Sequence, residues 1–425
     1  MRTIKLFEHQ TLRLGKDDQG VEFSQAHLES LARFSEKHQD QFFSLVHNGV
    51  KFSSYVGVLR VGDLQIEILP KADKLTDIDA DKGKWHEALV YMLRECRFVK
   101  LSRIANASLL LQHASILDLF IEVFLAETEE LCHQGLIKRY QQKEENHFKY
   151  KGKILFNEQI KHNIIHQERM YSRYQSYDAN HLVNQILFCA LKIIPFITNT
   201  RQLLDRCTQL LLFYPPVDEI RITHKHFDRI VLDRKTRRYQ LALEIARLLL
   251  LNYSQDFKGG SCNVLSLLFD MNELFEEFIY RQLVKLQAIH HISVKRQQSR
   301  RFWEQRSIRP DILVEIEGQR LVLDTKWKVL EQNTPSDADL KQMYAYNHLF
   351  KAKHSILIYP KVYDLANRRG HFQEPYYLRS GEQIEHYCHL AFVDLFENEK
   401  LSKTIAQRLL DEILQKISEP EKVGV

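Results

Sequence analysis

The sequence predicts an α+β multidomain protein with a β-rich N-terminal part (1–80), a mainly helical middle (81–260) and a C-terminal α/β domain (261–425). Three observations predict it. The stretch "YVGVLRVGDLQIEILPK" alternates on both sides of Gly62-Asp63, as a β-hairpin does. Between Lys84 and Asn252, "KWHEALVYMLREC", "ILDLFIEVFLAETEELCHQGL" and "YQLALEIARLLLLNY" repeat apolar residues at three and four positions, the helical period. The pair Gly259-Gly260 marks the best break, and the order after it is helix, three strands, helix, strand, an α/β unit.

The 425 residues allow two or three domains, and 44% hydrophobic with 27% charged residues is an ordinary globular balance. A net charge of +5 permits a polyanion partner without requiring one. The six cysteines (Cys96, Cys132, Cys189, Cys207, Cys262, Cys388) contain no C-x-x-C pair, so a reduced cytoplasmic chain without a cysteine zinc cluster is expected. The start "MRTIKLFEHQ" has no apolar signal core, and runs such as Ile245 to Leu251 are too short to span a bilayer, so no membrane partner is expected. "KGKI" and "DKGKWH" lack the glycine spacing of a phosphate loop, so the chain itself is not expected to hydrolyse nucleotides. His162/His166 and His386/His389 have helical spacing but no further ligands, and read as surface or core histidines. Within the middle, "KYKGKILFNEQIKHN" breaks the helical pattern and reads as a strand or projecting hairpin.

In the last part, "DMNELFEEFIYRQLVKLQ" opens with Asp270 as N-cap and Glu273 three residues on, a capping-box arrangement; Leu274, Phe275, Phe278, Ile279 and Leu283 form its buried face. Strands "HISVKRQ", "PDILVEIE" and "RLVLDTKW" follow, then the helix "DADLKQMYAYNHLFKA" and the strand "SILIYP". A turn centred on Glu317-Gly318 pairs Ile316 with Gln319 and, carried down the ladder, Asp311 with Asp324 on one side of the sheet. Lys326, two residues beyond Asp324, points to the same side. Like charges directly opposite are destabilising, so two carboxylates here want a cation between them. Oxygen ligands suit Mg²⁺, and a lysine nearby orients or deprotonates a water and offsets charge on a phosphate. The pattern predicts metal-assisted phosphodiester hydrolysis. Asp-x-Lys also occurs at Asp233/Lys235 and Asp339/Lys341, where it reads as solvated surface or loop charge.

"RPDILVEIEGQRLVLDTKWK" resembles the core of the PD-(D/E)xK nuclease superfamily. "MNELFEEFIYRQL" ahead of it, and "DLKQMYAYNHLF" with "ILIYP" behind it, resemble the McrC subunit of the modified-cytosine restriction systems. So do "KGKILFNEQIKHN" and "YDANHLVNQILFCALKII" in the middle, while "YVGVLRVGDLQIEILPKAD" is similar to the longer members. Together these stretches cover most of the chain.

The resemblance implies a PD-(D/E)xK nuclease-like C-terminal domain. In it Asp311 and Asp324 are the metal-binding acids, Thr325 a further metal ligand and Lys326 the motif lysine. Glu276 matches the acid on the first core helix, with Glu277 adjacent and Glu273 one turn earlier. Gln342 and Tyr346 match a Gln-x-x-x-Tyr element; they share a helix face, and reach the site or DNA, or else form the polar rim of a core helix. Arg300 and Arg301, with Lys295, Arg296 and Arg306 beside Phe302 and Trp303, either hold phosphates without reading sequence or form a solvated basic loop.

The implied activity is a Mg²⁺-dependent endodeoxyribonuclease cutting double-stranded DNA with modified cytosine. It acts with a McrB-like ring-forming AAA+ GTPase whose hydrolysis it stimulates, the part before the nuclease domain docking on the ring. The alternatives are a non-cleaving adaptor that activates an AAA+ partner, and a stand-alone DNA repair nuclease. The complete Asp, Asp, Lys set argues against the first, and the McrC-like middle against the second.

Overall fold

The computed structural model describes residues 2–17, 20–71, 78–96, 115–254, 263–330, 334–361, 367–377, 381, 383–397, 400–402 and 404–418. Gly259-Gly260 lies outside them. The chain forms two compact units, one of Ser115–Leu267 and one that joins Arg2–Ala114 to Leu268–Val425. The three consecutive blocks expected at 80 and 260 are thus regrouped: the N-terminal elements share a unit with the C-terminal α/β elements. Mixed α and β structure is found in both.

In the larger unit, strand β1 (Arg2–Phe7) runs parallel to β3 (Leu64–Leu69), and β2 (Tyr55–Val61) pairs antiparallel with β3 through the two-residue turn Gly62-Asp63. Gly62 has φ +60°, the left-handed value such a turn requires. The N-terminal part is less purely β than expected. Helix α1 (Gln25–His38), capped by Ser24, interrupts it. Helix α2 (Ile78–Glu95) also packs in this unit, with Tyr91 against Phe278 at 5.7 Å between ring centres and Trp85 against Trp327 at 6.3 Å.

The smaller unit is built on helices α3 (Ile116–His133), α5 (Leu182–Ile197), α6 (Arg201–Phe213) and α7 (Gln240–Leu251), with Leu, Ile and Phe side chains turned inward. Arg206 ties α6 to α3, its Nη2 2.8 Å from Glu129 Oε2 and its Nη1 2.5 Å from Glu122 Oε1. Between α3 and α5 runs a nine-rung antiparallel ribbon, β4 (Arg139–His147) against β5 (Met170–Asp178). The stretch "KYKGKILFNEQIKHN" lies in its connection as a short strand, Lys153–Ile154, and the helix α4 (Phe156–Asn163). Gly152 has φ +64°, and a Cβ there would meet Arg173 O at 2.3 Å.

The C-terminal elements follow the expected order. Helix α8 (Met271–His290) starts at Asp270, whose Oδ1 accepts the N–H groups of Asn272 and Glu273. Leu274, Phe275, Phe278, Ile279 and Leu283 are all buried, as its periodicity predicts. Strands β6 (Ser293–Arg296), β9 (Ile312–Ile316), β10 (Gln319–Thr325), β11 (His354–Pro360) and β12 (Tyr387–Val393) form a sheet in that order; its first two pairings are antiparallel and its last two parallel. A two-stranded ribbon, β7 (Arg300–Trp303) and β8 (Arg306–Ile308), precedes β9. Helix α9 (Asp337–Phe350) packs Met343, Tyr346 and Phe350 over Leu313, Val322 and Leu357, and α10 (Ile405–Ser418) closes the described chain.

Glu8, at the end of β1, is buried against the segment that follows β10. Its Oε1 accepts the indole N–H of Trp327 at 2.7 Å and the backbone N–H of Lys71 at 3.0 Å. Burial is the main cause that pushes its carboxyl up to about 7. The folded chain therefore keeps a proton that the unfolded chain releases near 4.5. Stability from this group is present below that unfolded value and is lost as pH rises through about 7, by an amount on the order of 3 kcal/mol. We expect the thermal unfolding temperature of wild type to fall across this window more steeply than that of Glu8→Gln. Equal slopes for the two proteins would show that Glu8 does not titrate there.

Candidate active site

The turn Glu317-Gly318 joins β9 to β10, with φ of +50° and +80°, the two positive values of a primed hairpin turn. Ile316 pairs with Gln319 and Ile312 with Leu323, so the expected register is the one formed. Asp311 stands one residue ahead of β9, and the same register continued places it opposite Asp324. Both lie on the face shared with Leu313 and Val322, which α9 covers.

The carboxylates are held differently. Asp311 Oδ2 accepts the backbone N–H of Thr325 at 2.7 Å and its hydroxyl at 2.9 Å. Asp324 is buried, with its Oδ2 2.7 Å from Lys326 Nζ. At that separation the Lys326 ammonium faces Oδ2 directly and works against the burial of the Asp324 carboxyl. Burial first, and repulsion from Asp324 second, push Asp311 up to about 6. Asp324 is also raised, burial again leading. Burial alone lowers Lys326, but the carboxylates around it, Asp324 foremost, outweigh that and raise it. Lys326 thus holds its proton.

Helix α9 supplies an orienting chain. Lys326 Nζ donates to Gln342 Oε1 at 3.2 Å, Gln342 Nε2 donates to the Tyr346 hydroxyl at 2.8 Å, and that hydroxyl donates to Arg309 O at 2.9 Å. Lys326 is thereby tied to the backbone two residues before Asp311. Tyr346 is buried, with its hydroxyl on Arg309 O, so it does not lie on DNA; Gln342 is half-buried between Lys326 and Tyr346. Glu276 is the helix acid that feels the site. Burial and then Asp311 raise its carboxyl, and Gln297 links the two by donating its side-chain amide to Glu276 at 2.8 Å and its backbone N–H to Asp311 O at 2.9 Å. Glu277 instead pairs with Arg281 at 2.6 Å and with Arg296.

Several expectations change. Arg296 is not available to a phosphate, being paired with Glu276 at 3.1 Å and with Glu277. Asp339 is not a solvated charge: it is buried, its backbone N–H donates to the Ser336 hydroxyl at the start of α9, and its Oδ2 pairs with Lys328 Nζ at 2.5 Å. Asp233 is exposed, as expected, and stabilises the turn to Thr236. Arg300 is drawn to α9, donating to Leu349 O at 2.7 Å, while Arg301 is exposed. His386 and His389 are buried core residues; His162 and His166 are exposed. Gln297 carried no signal in the sequence, since nothing about an isolated Gln marks it as a neighbour of an acid; Thr325, expected at the site as a metal ligand, meets Asp311 through its backbone N–H and its hydroxyl.

Among the described residues, no three His, Cys, Asp or Glu side chains are grouped to hold a metal by themselves. Two carboxylates still fit Mg²⁺, which takes one or two and fills its other positions with water and phosphate. The repulsion from Asp324 that helps to raise Asp311 is what a cation between the two carboxylates relieves. No helix among the described residues is long and apolar enough to cross a membrane.

The family described as McrBC 5-methylcytosine restriction system component matches residues 50–360, well over half of the chain. No curated protein matches. Among solved structures, a chain of a Thermococcus gammatolerans assembly, described as McrB AAA+ hexamers with bound McrC, shares 20% identity over 97% of this chain and 100% of that one, with a TM-score of 0.66. A chain of another structure, described as the Thermococcus gammatolerans McrBC complex, is 19% identical over 67% of this chain and 87% of that one, with a TM-score of 0.48. The chain belongs to the McrBC 5-methylcytosine restriction system component family.

Proposed function

We propose that this chain is the McrC-type, DNA-cleaving subunit of a McrBC-like system, with a PD-(D/E)xK nuclease-like domain at its C-terminal end. The observation that carries the reading is the convergence of Asp311, Asp324 and a protonated Lys326 on one buried face. Asp311, Asp324 and the backbone of Thr325 would hold Mg²⁺, which when bound activates a water and neutralises phosphate charge. Lys326, as an ammonium ion, donates to a phosphate oxygen and stabilises the negative charge that grows there. Its raised proton affinity argues against a role as the base. Gln342 and Tyr346 fix the lysine, and Glu276 with Gln297 fixes Asp311 from the other side. Arg300 and Arg301 lie toward the phosphate backbone of double-stranded DNA with modified cytosine.

The partner is a McrB-like AAA+ GTPase, and the unit Ser115–Leu267 is the docking part. Support comes from the Thermococcus assembly and from exposed apolar residues around the ribbon connection, among them Phe148, Phe156, Ile160 and Ile165. The acids lie in the other unit, so docking and cutting are separable.

Asp324→Ala is expected to keep stimulation of the partner's GTP hydrolysis while removing cleavage of modified DNA with Mg²⁺. If wild type stimulates the partner yet cuts no modified substrate, the chain is an adaptor instead. Lys326→Ala should slow cleavage by roughly a hundredfold or more while leaving folding intact. Loss of stimulation with cleavage retained would reverse the assignment.

A further inference from the structure

The ribbon of β7 and β8 is exposed along almost its whole length, yet it carries two adjacent aromatic side chains. Phe302 is 54% exposed and Trp303 59% exposed. Holding two such rings in water at a ribbon tip does nothing for the fold. The ladder pairs Arg301 with Ser307 and Trp303 with Arg306, and the register shifts between them, so Phe302 is an added residue on one strand. Bulges of this kind re-aim side chains and recur beside functional sites.

The base of the ribbon is fixed. Arg300 donates to Leu349 O, its guanidinium lies 5.1 Å from the centre of the Phe350 ring, and Ile308 packs on the core under α9. From that base the chain reaches Asp311 within three residues. The charge is one-sided: between Arg300 and Arg309 stand Arg300, Arg301, Arg306 and Arg309, against Glu304 alone. A two-stranded ribbon fits a DNA groove, and apolar wedges inserted between base steps unstack them.

We propose that this ribbon is a DNA-stacking element: Phe302 and Trp303 stack on bases, while Arg301 and Arg306 take the flanking phosphates beside the strand to be cut. The inference rests on the nuclease reading and adds to it a mode of substrate binding. A basic ribbon without the rings would hold DNA through phosphates only. With them, the base step next to the site is opened, and distorted or unpaired DNA is bound better than a continuous duplex, because its unstacking is already complete.

Trp303 is its own reporter, since Trp85 and Trp327 are buried. The full chain carrying Asp324→Ala, which is not expected to cut, is titrated with a short methylcytosine duplex and with the same duplex bearing a central mismatch. Tryptophan emission and the anisotropy of labelled DNA are both read. The expected result is quenching of the exposed tryptophan, tighter binding of the mismatched duplex, and about tenfold weaker binding for Trp303→Leu, largely restored in Trp303→Tyr. Equal binding by Trp303→Leu and no quenching overturns the stacking element. Emission that responds to the AAA+ partner but not to DNA overturns it in favour of a protein contact.

Cleavage by the chain without Asp324→Ala separates the two readings. Cutting that is unaffected by Trp303→Leu sinks the ribbon's role and leaves the nuclease standing. Quenching by DNA without cutting under any condition sinks the nuclease and leaves the ribbon as a DNA-binding element.

Discussion

Asp311 and Asp324 stand opposite each other because the two-residue turn at Glu317-Gly318 fixes the register of the hairpin. A slip of one residue would send one of them to the other face, and no later contact would recover the pair. Their repulsion in a buried place is the constraint to which the surrounding residues respond. Thr325 answers Asp311 with two hydrogen bonds, Lys326 answers Asp324 with an ion contact, and the Gln342–Tyr346 chain holds the lysine in place. These contacts leave both carboxyls above their ordinary range. Lys326 is the positive charge that sets itself against these two acids.

Most of the C-terminal fold and the Asp–Asp–Lys face could be read from the sequence, because strands alternate with period two and a Glu-Gly turn allows one close register. The buried face of α8 was equally legible from its spacing. What escaped depends on tertiary placement. Asp339 looks like any charge at a helix start until α9 lies against Lys328. Glu276 and Glu277 are neighbours that both pair with Arg296, and only Gln297 on the one and Arg281 on the other tell them apart. The nine-rung ribbon in the middle is made of polar strands such as "RYQQKEENH", which present no apolar face to read. The regrouping into two units follows from aromatic contacts of α2 with α8 and Trp327, which local sequence does not encode.

Division into two units gives the proposed function a simple economy. Residues expected to engage a ring-forming partner sit in one unit, and the acids in the other, so each surface can change without refolding the other. The fold shared with a chain of the Thermococcus assembly spans nearly the whole length, consistent with both parts being retained together.

The central claim is that Asp311 and Asp324 share a divalent cation. It is tested most directly by a crystal structure of the chain grown with Mn²⁺ in place of Mg²⁺, using anomalous scattering to locate the ion. The account predicts an anomalous peak between the two carboxylates and its loss in Asp324→Ala. Ordered, empty carboxylates with Lys326 still on Asp324 at saturating Mn²⁺ would contradict it.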